Sequence, residues 1–227
     1  ITLRRGEDYL VSAVIDTANG FAYFGTYTSP GKIVKIRLSD FTRVDVMTLN
    51  PGEDYLYAAA IDTVNGFAYF GTSPGLIPPG SKIIKIRLSD FTRVATLDLS
   101  SEGIRMLKGA SINVNAARMS LGSEIAGGGK VIVVDIGTFS VIDSVDTSWL
   151  GPGESPWYAP AVSPENIMSF HGIGNIAEGT IIGIRISPPV SFVWQTDTWT
   201  GGTPWSATID FTTVDGIDTG YLYFGMG

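Results

Sequence analysis

Acidic residues recur at a similar place in four segments of the sequence, and this recurrence suggests metal binding. The segments RRGEDYL, NPGEDYL, SSEGIRM and GPGESPW contribute Glu7, Glu53, Glu102 and Glu154. Carboxylates that converge on one axis could hold a hard cation such as Ca²⁺. The alternative is that each segment is a solvated turn whose acid only aids solubility. Apart from such a Ca²⁺ ion, we predict no cofactor.

The tryptophans are the second set of residues that could carry a binding function. Two loops of similar sequence, DTSWLGPGESPWYA and DTWTGGTPWSA, contain Trp149, Trp157, Trp199 and Trp205. Flat indole rings beside acids and amides suit stacking on sugar rings. The pattern therefore predicts a glycan site, and packing between adjacent sheets is the alternative role of these side chains.

Other catalytic arrangements find little support in the sequence. The chain has no cysteine and one histidine, His171, which excludes a metal site built from several histidines. We expect His171 to lie in a hairpin loop. Asp16, Asp62 and Asp210 each follow an apolar stretch and precede a turn, so we interpret them as turn caps. The chain is predicted not to be an enzyme.

An internal repeat positions these residues. The stretch IDTANGFAYFGT begins at Ile15, and IDTVNGFAYFGT begins at Ile61 with one letter changed. Each repeat divides into four apolar or alternating stretches, in the first repeat YLVSAVID, FAYFGTYT, KIVKIRL and TRVDVMTL, with an Asn-Gly turn after the first. Four strands in about 45–50 residues are typical of one blade of a β-propeller.

The repeats divide the whole chain, which we predict to be a single all-β domain over residues 1–227. Four complete blades are expected at about 6–50, 52–100, 102–149 and 151–199, and a partial fifth at 200–227 together with residues 1–3. The ring would then have five blades or be part of a longer array. Arg37, Arg87 and Arg185 recur on the third strand, where we expect them to meet acids of a neighbouring blade or to extend into solvent.

The order of apolar strand, Asn-Gly turn, aromatic strand, Gly-Lys and I-x-x-I strand resembles β-propeller repeats of the Tyr-Val-Thr-Asn and NHL kind. The resemblance covers the whole chain, and it implies a propeller of four-stranded blades. It is almost silent on activity, because such propellers include lactonases, quinoproteins, lectins and pure interaction modules.

Composition narrows the range of partners. The net charge is −7, but residues 1–130 hold 14 basic and 12 acidic residues, whereas residues 131–227 hold one basic and 10 acidic residues. An acidic chain repels phosphate backbones, so no nucleic acid partner is predicted. No apolar run is long enough to span a membrane. The uneven charge would favour head-to-tail contact between copies.

These observations predict a non-enzymatic scaffold at the cell surface or outside the cell. Its partners would be itself, another surface protein, or a glycan. A carbohydrate-binding propeller that uses the tryptophan-rich half is the first alternative. A metal-dependent hydrolase or lactonase, with carboxylates at the mouth of the channel, is the second.

Overall fold

The structure is a computed structural model of the 227-residue chain. It describes residues 1–74, 80–150, 155–163, 168–174, 179–186, 191–195, 204–214 and 217–226. The described residues contain eighteen β-strands and two short 3-10 turns, at Ser100–Glu102 and Ser148–Leu150, but no α-helix. In this part of the chain, no helix is long and apolar enough to cross a membrane.

Sixteen of the strands form four antiparallel sheets of four strands, which we call the first to fourth blades. The first blade consists of β1 (Leu10–Asp16), β2 (Phe21–Thr26), β3 (Lys32–Arg37) and β4 (Thr42–Thr48). The second consists of β5 (Ala58–Asp62), β6 (Phe67–Gly71), β7 (Lys82–Arg87) and β8 (Thr92–Asp98). The third consists of β9 (Met106–Asn113), β10 (Arg118–Ile125), β11 (Gly128–Asp135) and β12 (Ser140–Asp146). The fourth consists of β13 (Ser155–Ser163), β14 (Met168–Gly174), β15 (Gly179–Arg185) and β16 (Ser191–Gln195).

The last two strands, β17 (Pro204–Val214) and β18 (Ile217–Met226), pair with each other in a two-stranded sheet. Their register reproduces that of β1 and β2, with Ser206 opposite Gly225 as Ser12 is opposite Gly25. In both pairs the register shifts immediately before the serine. Residues 1–4 adopt no strand, and the assignment of residues 1–3 to the last blade stays a prediction.

Turn chemistry explains why β1 and β5 end where they do. Asp16 accepts hydrogen bonds from the backbone N–H of Asn19 at 3.1 Å and from its side-chain amide at 2.8 Å. Asp62 and Asn65 make the same pair of bonds at 2.9 and 2.7 Å. In this arrangement the side-chain carboxylate caps the turn by replacing a backbone acceptor. The prediction that Asp16 and Asp62 cap turns is confirmed.

The chain divides into two compact units, Ile1–Lys108 and Gly109–Gly227, and the assignment to a single domain stays a prediction. In the first unit, the core forms where the first and second blades pack together, and it includes Tyr23, Ile33, Leu56 and Phe70. In the second unit, a smaller core joins alternate residues of β11 and β15, including Val131, Val133, Ile182 and Ile184. Alternate residues of a strand share one face, so each core follows the strand period.

Close approach of the first two blades requires glycine in β2. A Cβ on Gly25 would lie 2.8 Å from the Cβ of Leu56 and 3.0 Å from its carbonyl oxygen. Gly71 of β6 is equally close to Leu107. Such distances leave no room for a side chain, so the Gly of the repeated FAYFG stretch is a packing requirement.

A buried lysine and its aromatic neighbours complete the contact between the first two blades. The ammonium of Lys35 lies 4.1 Å from the ring centroid of Phe21 and 5.6 Å from those of Tyr23 and Phe91. Phe91, in the β7–β8 turn, packs on Tyr23 with their ring centroids 5.8 Å apart. Cation–π attraction offsets part of the cost of removing the ammonium from water.

Candidate functional site

The first two predicted metal ligands, Glu7 and Glu53, are buried, and an arginine of the same blade binds each of them. Arg43 on β4 donates to Glu7 from Nε at 2.8 and 3.0 Å and from Nη2 at 2.6 Å. Arg93 on β8 donates to Glu53 from Nη1 at 2.7 Å and from Nη2 at 2.6 Å. Both carboxylates also accept the backbone N–H of the residue three positions earlier. Each glutamate therefore ties its entry loop to the last strand of its blade.

Electrostatics keeps Glu7 charged. The hydrogen bonds from Arg43 lower the pKa of the Glu7 carboxyl, against the opposing effect of burial, and the backbone N–H of Arg4 lowers it further. A paired and hydrogen-bonded carboxylate of this kind acts as a structural anchor. The geometry thus gives Glu7 and Glu53 a role different from the predicted one, while Ca²⁺ binding stays a prediction.

Glu102 does not hold the equivalent position in the third blade. The N–H of Gly31 bonds to the carbonyl of Glu53 at 2.8 Å, but the corresponding N–H of Ser81 bonds to Ile104 at 3.2 Å. Ile104 therefore holds the position that Glu53 has in the preceding loop, and Glu102 lies in a 3-10 turn. Glu154 lies outside the described residues. Within the described ranges, no three His, Cys, Asp or Glu residues are grouped so that they could hold a metal ion.

The recurring arginines pair within their own turns. Arg37 donates to Asp40 at 3.1 Å, and Arg87 donates to Asp90 at 2.9 Å, with both pairs about half exposed. The first expectation, that these two arginines meet acids of a neighbouring blade, is therefore wrong, because an acid three residues later is closer. The alternative, that they extend into solvent, agrees with side chains that are 46% and 47% exposed. Exposed pairs of this kind contribute little to stability.

Two further expectations were wrong about strand boundaries. His171 lies inside β14, opposite Ile182 of β15, and not in a hairpin loop. Asp210 lies inside β17, opposite Tyr221, and not at a turn. In β17 pairing continues to Val214, so the turn that the apolar pattern placed after Asp210 comes later.

The predicted tryptophan site is described only in part. Trp149 lies in the 3-10 turn after β12, and its side chain is 55% exposed. Trp157 lies in β13 and Trp205 in β17, each near the start of its strand where the register is irregular. Trp199 lies outside the described residues. Whether the four tryptophans share a ligand stays a prediction.

A surface that sequence analysis missed lies at the entry loops of the first and second blades. We call it the tyrosine surface, and it consists of Tyr9, Tyr27, Tyr55, Tyr57 and Lys108. Backbone hydrogen bonds hold it together, because the N–H of Tyr27 bonds to the carbonyl of Tyr9 at 2.8 Å. The N–H of Tyr55 likewise bonds to the carbonyl of Thr28 at 3.1 Å. The chain after β2 is thereby held between the two GEDY loops.

The rings of the tyrosine surface are in contact with one another. Tyr27 stacks on Tyr55 with a centroid distance of 4.4 Å, meets Tyr9 edge-on at 6.5 Å and lies 5.5 Å from Tyr57. The ammonium of Lys108 lies 4.4 Å above the ring of Tyr57. Tyr9 and Tyr27 are 76% and 43% exposed. The result is an accessible aromatic surface with a positive charge at one side.

Backbone conformation presents Tyr9 and Tyr55 in the same way. Both have positive φ, 49° and 54°, and each follows a glycine of positive φ in the same GEDY loop. Residues other than glycine rarely adopt this region, so the two loops are built alike and constrained. The repeated GEDY motif includes Tyr9 and Tyr55, but the sequence-based prediction concerned only its acidic residues. Tyr27 has no repeat equivalent and could not be found in this way.

Comparison with known proteins gives a fold and no family. No family model matches the sequence, and no curated protein matches it. Among solved structures, hydrazine synthase of Kuenenia stuttgartiensis aligns with a TM-score of 0.70 at 9% identity, over 93% of this chain and 55% of that chain. The WD40 repeats of RRP9 align with a TM-score of 0.63 at 13% identity, over 89% of this chain and 55% of that one.

A quinohemoprotein alcohol dehydrogenase of Pseudomonas putida HK5 aligns with a TM-score of 0.67 at 15% identity, over 97% of this chain and 39% of the enzyme. The chain therefore spans about half or less of the length of these three structures. At such low identities the likeness concerns the fold alone. Four-stranded antiparallel blades together with these likenesses show that this all-β chain has a β-propeller fold.

Proposed function

We propose that the chain is a non-enzymatic binding scaffold of the cell surface or the extracellular space, with the tyrosine surface as its site for a protein partner. The observation that carries this proposal is the contacting group of four tyrosine rings beside Lys108, of which Tyr9 and Tyr27 are exposed. Tyrosine is enriched at protein interfaces because its ring adds apolar contact area at low entropic cost while its hydroxyl forms hydrogen bonds. We also assign the repeats to the Tyr-Val-Thr-Asn or NHL kind.

Geometry favours a protein segment over a sugar as the occupant of the tyrosine surface. Tyr27 and Tyr55 stack on each other, and Lys108 lies over one face of Tyr57. Ring faces that are already in contact are less available for stacking on a sugar, whereas the ring edges and hydroxyls still suit a peptide. Lys108 would favour an acidic group on that peptide.

The proposal of a non-enzymatic role is supported by what the recurring acids do. Glu7 and Glu53 bind arginines, and Asp16 and Asp62 bind the asparagines of their turns. Groups held in this way serve the fold. The alternative of a metal-dependent hydrolase or lactonase therefore draws no support from these four carboxylates.

Carbohydrate binding through the tryptophan-rich half is the second candidate. The exposed indole of Trp149 favours it, since an exposed flat ring can stack on a sugar. This candidate uses a different part of the chain from the tyrosine surface, so substitutions separate the two.

Panning of a random-peptide phage library on the immobilised protein tests the protein-binding proposal. We expect enriched peptides whose affinity falls at least about 30-fold in Tyr27→Ala, the size of effect typical of a central aromatic contact. Val64→Ala is the matched control, because Val64 is 80% exposed in the β5–β6 turn, and this variant should bind like the wild type.

Two results would contradict the proposal. One is that the library yields no peptide for the wild-type protein, and the other is that Tyr27→Ala binds the enriched peptides as well as the control does. A glycan array tests the second candidate. Binding to a glycan that is lost in Trp149→Ala and kept in Tyr27→Ala would favour a sugar ligand in place of a peptide.

A further inference from the structure

The rings of Tyr27 and Tyr55, which stack in the tyrosine surface, come from different blades. Tyr27 directly follows β2 of the first blade, and Tyr55 lies in the loop that enters the second blade. Their ring centroids are 4.4 Å apart, and their planes are inclined by 30°. The centroid distance is close to the one that a single carbon–carbon bond between two phenol rings would set. Formation of such a bond would therefore require the rings to turn, but the backbones would not have to approach.

Backbone hydrogen bonds hold the two stacked rings in place. The N–H of Tyr55 bonds to the carbonyl of Thr28 at 3.1 Å. The N–H of Leu56 bonds to the carbonyl of Thr26 at 3.0 Å, so the two acceptors flank Tyr27 in the chain. The ring pair is thus preorganised in the folded chain, and preorganisation gives two reacting groups a high effective concentration toward each other.

Accessibility and charge favour this pair over the other ring pairs of the tyrosine surface. Tyr27 is 43% exposed, so a dissolved oxidant can reach its ring. Tyr9 meets Tyr27 only edge-on, with a centroid distance of 6.5 Å. Tyr57 lies 5.5 Å from Tyr27, and the ammonium of Lys108 lies over its ring. A positive charge over a ring is attracted to the ring electrons, so their removal from Tyr57 is harder.

We propose that Tyr27 and Tyr55 are the site of an intramolecular dityrosine cross-link, which a peroxidase forms with hydrogen peroxide. Each phenol gives up one electron and one proton, and together they reduce one hydrogen peroxide to two molecules of water. The two tyrosyl radicals then form a carbon–carbon bond between the ring positions next to their hydroxyls. The hydrogen on each of these carbons moves to the oxygen, which restores both phenols and leaves the chain two hydrogen atoms lighter.

The cross-link would join the first two blades covalently in a sequence that contains no cysteine. Without cysteine this sequence cannot form a disulfide, and it has no thiol that would reduce the tyrosyl radicals. A bond between Tyr27 and Tyr55 closes a loop that spans the border of the two blades. Closing such a loop restricts the unfolded chain and thereby stabilises the folded one. The cross-link goes beyond the proposed function and does not rest on peptide binding.

Treatment of the intact, folded chain at low concentration with a heme peroxidase and hydrogen peroxide tests the proposal. The monomer should gain dityrosine fluorescence, lose two hydrogen atoms in mass and unfold at a higher urea concentration. Trypsin should then release residues 6–32 joined to residues 44–82, the segments that contain the two tyrosines. Tyr27→Phe and Tyr55→Phe should each reduce the joined product at least about tenfold, because the preorganised pair is lost.

Buried tyrosines of the same two tryptic segments supply the matched controls. Tyr23 and Tyr69 are 0% and 2% exposed, so Tyr23→Phe and Tyr69→Phe should yield the joined product like the wild type. A phenylalanine keeps the aromatic ring, and the far-UV spectra of all four variants should match that of the wild type. Oxidation in concentrated urea should remove the preference for Tyr27 and Tyr55, since the pair exists only in the folded chain.

Three results would overturn the proposal. They are a treated monomer that loses no hydrogen atoms, cross-links that form only between separate chains, and a joined product as abundant in Tyr55→Phe as in Tyr69→Phe. The peptide-binding test uses the untreated protein, so failure of the cross-link and failure of ligand binding can be told apart.

Discussion

The first and second blades are almost identical in sequence, yet Leu10 and Phe41 are exposed in the first, whereas their equivalents Leu56 and Phe91 are buried in the second. Both blades have the same pairing of their second and third strands, the same Asp-capped turn and the same buried glutamate–arginine pair. Leu10 and Leu56 nevertheless differ by 43 percentage points in exposed fraction, and Leu56 packs over Gly25 of the first blade. The local structure of each blade is therefore determined by its repeat sequence, whereas the burial of a residue depends on what packs against it.

The largest effect should come from shortening the covered leucine. Leu56→Ala removes a fully buried side chain that packs over Gly25 and Gly31, so the free energy of unfolding should fall by about 3–5 kcal/mol. Leu10→Ala, at the equivalent exposed position, should change it by about 0.5 kcal/mol or less in the monomer. Urea denaturation at low protein concentration measures both. Equal losses for the two variants would show that Leu10 is covered as well.

The second prediction concerns the buried ion pairs, and here the first blade should be the more sensitive one. Glu7→Ala leaves Arg43, whose side chain is 12% exposed, without its partner, whereas Glu53→Ala leaves Arg93, which is 30% exposed. Breaking a buried ion pair costs about 3–5 kcal/mol, and the cost falls as water reaches the remaining charge. Glu7→Ala should therefore destabilise the fold more than Glu53→Ala does in the same urea experiment. A larger loss of stability in Glu53→Ala than in Glu7→Ala would contradict this prediction.

Acid should act on the same ion pair in the first blade. The hydrogen bonds from Arg43 hold the folded-state pKa of Glu7 below the unfolded value of 4.5. A lowered pKa contributes stability that is fully present above the unfolded pKa and is lost as the pH falls through the folded pKa. The wild-type free energy of unfolding should thus drop below pH 4.5, and Glu7→Gln should show a shallower drop. Parallel pH profiles for the two proteins would exclude this contribution.

The smallest effect concerns a buried hydroxyl without a partner. The Tyr23 hydroxyl is buried and makes no hydrogen bond in the described part of the chain, so Tyr23→Phe should leave the free energy of unfolding at neutral pH unchanged or raise it by up to about 1 kcal/mol. Burial, together with the charge of Asp16, raises the pKa of Tyr23 to about 12. Tyr23→Phe should therefore remove one tyrosine that ionises near pH 12 in an ultraviolet titration.

The equivalent tyrosine of the second blade provides the control for that titration. Burial and the charge of Asp62 raise the pKa of Tyr69 to about 12 as well. Tyr69→Phe should remove a second group of the same kind. A difference between the two variants in the alkaline titration would mean that the blades differ inside their cores as well as at Leu10 and Phe41.

Much of the fold follows from the sequence because strands and turns depend on neighbouring residues. Alternation placed the four strands of the first blade to within about two residues, and Asp16 was correctly read as a turn cap. The error at the start of β1 has a physical cause, since the positive φ of Tyr9 keeps it out of the strand. Asp210 was misplaced because pairing with β18 extends its strand beyond the apolar pattern.

The candidate site could be predicted less well because it depends on contacts between distant residues. The GEDY motif pointed to its acids, but only the folded chain brings Arg43 to Glu7 from 36 positions away. Stacking of Tyr27 on Tyr55 likewise depends on a loop held between two others. The exposure of Leu10 could not be predicted at all, since an almost identical segment buries Leu56.

The glycine of each second strand has a consequence for how such a chain can lengthen. Gly25 accommodates Leu56, and Gly71 accommodates Leu107, so each of these two borders joins a small residue of one repeat to a bulky residue of the next. An insertion of one whole repeat after Asn50 would create a new border of the same kind and preserve the old one. An insertion of half a repeat would place bulky residues against each other or leave a cavity beside a glycine that no side chain fills. Growth by complete copies, as in the near-verbatim first two repeats, is thus the mode of change that packing tolerates.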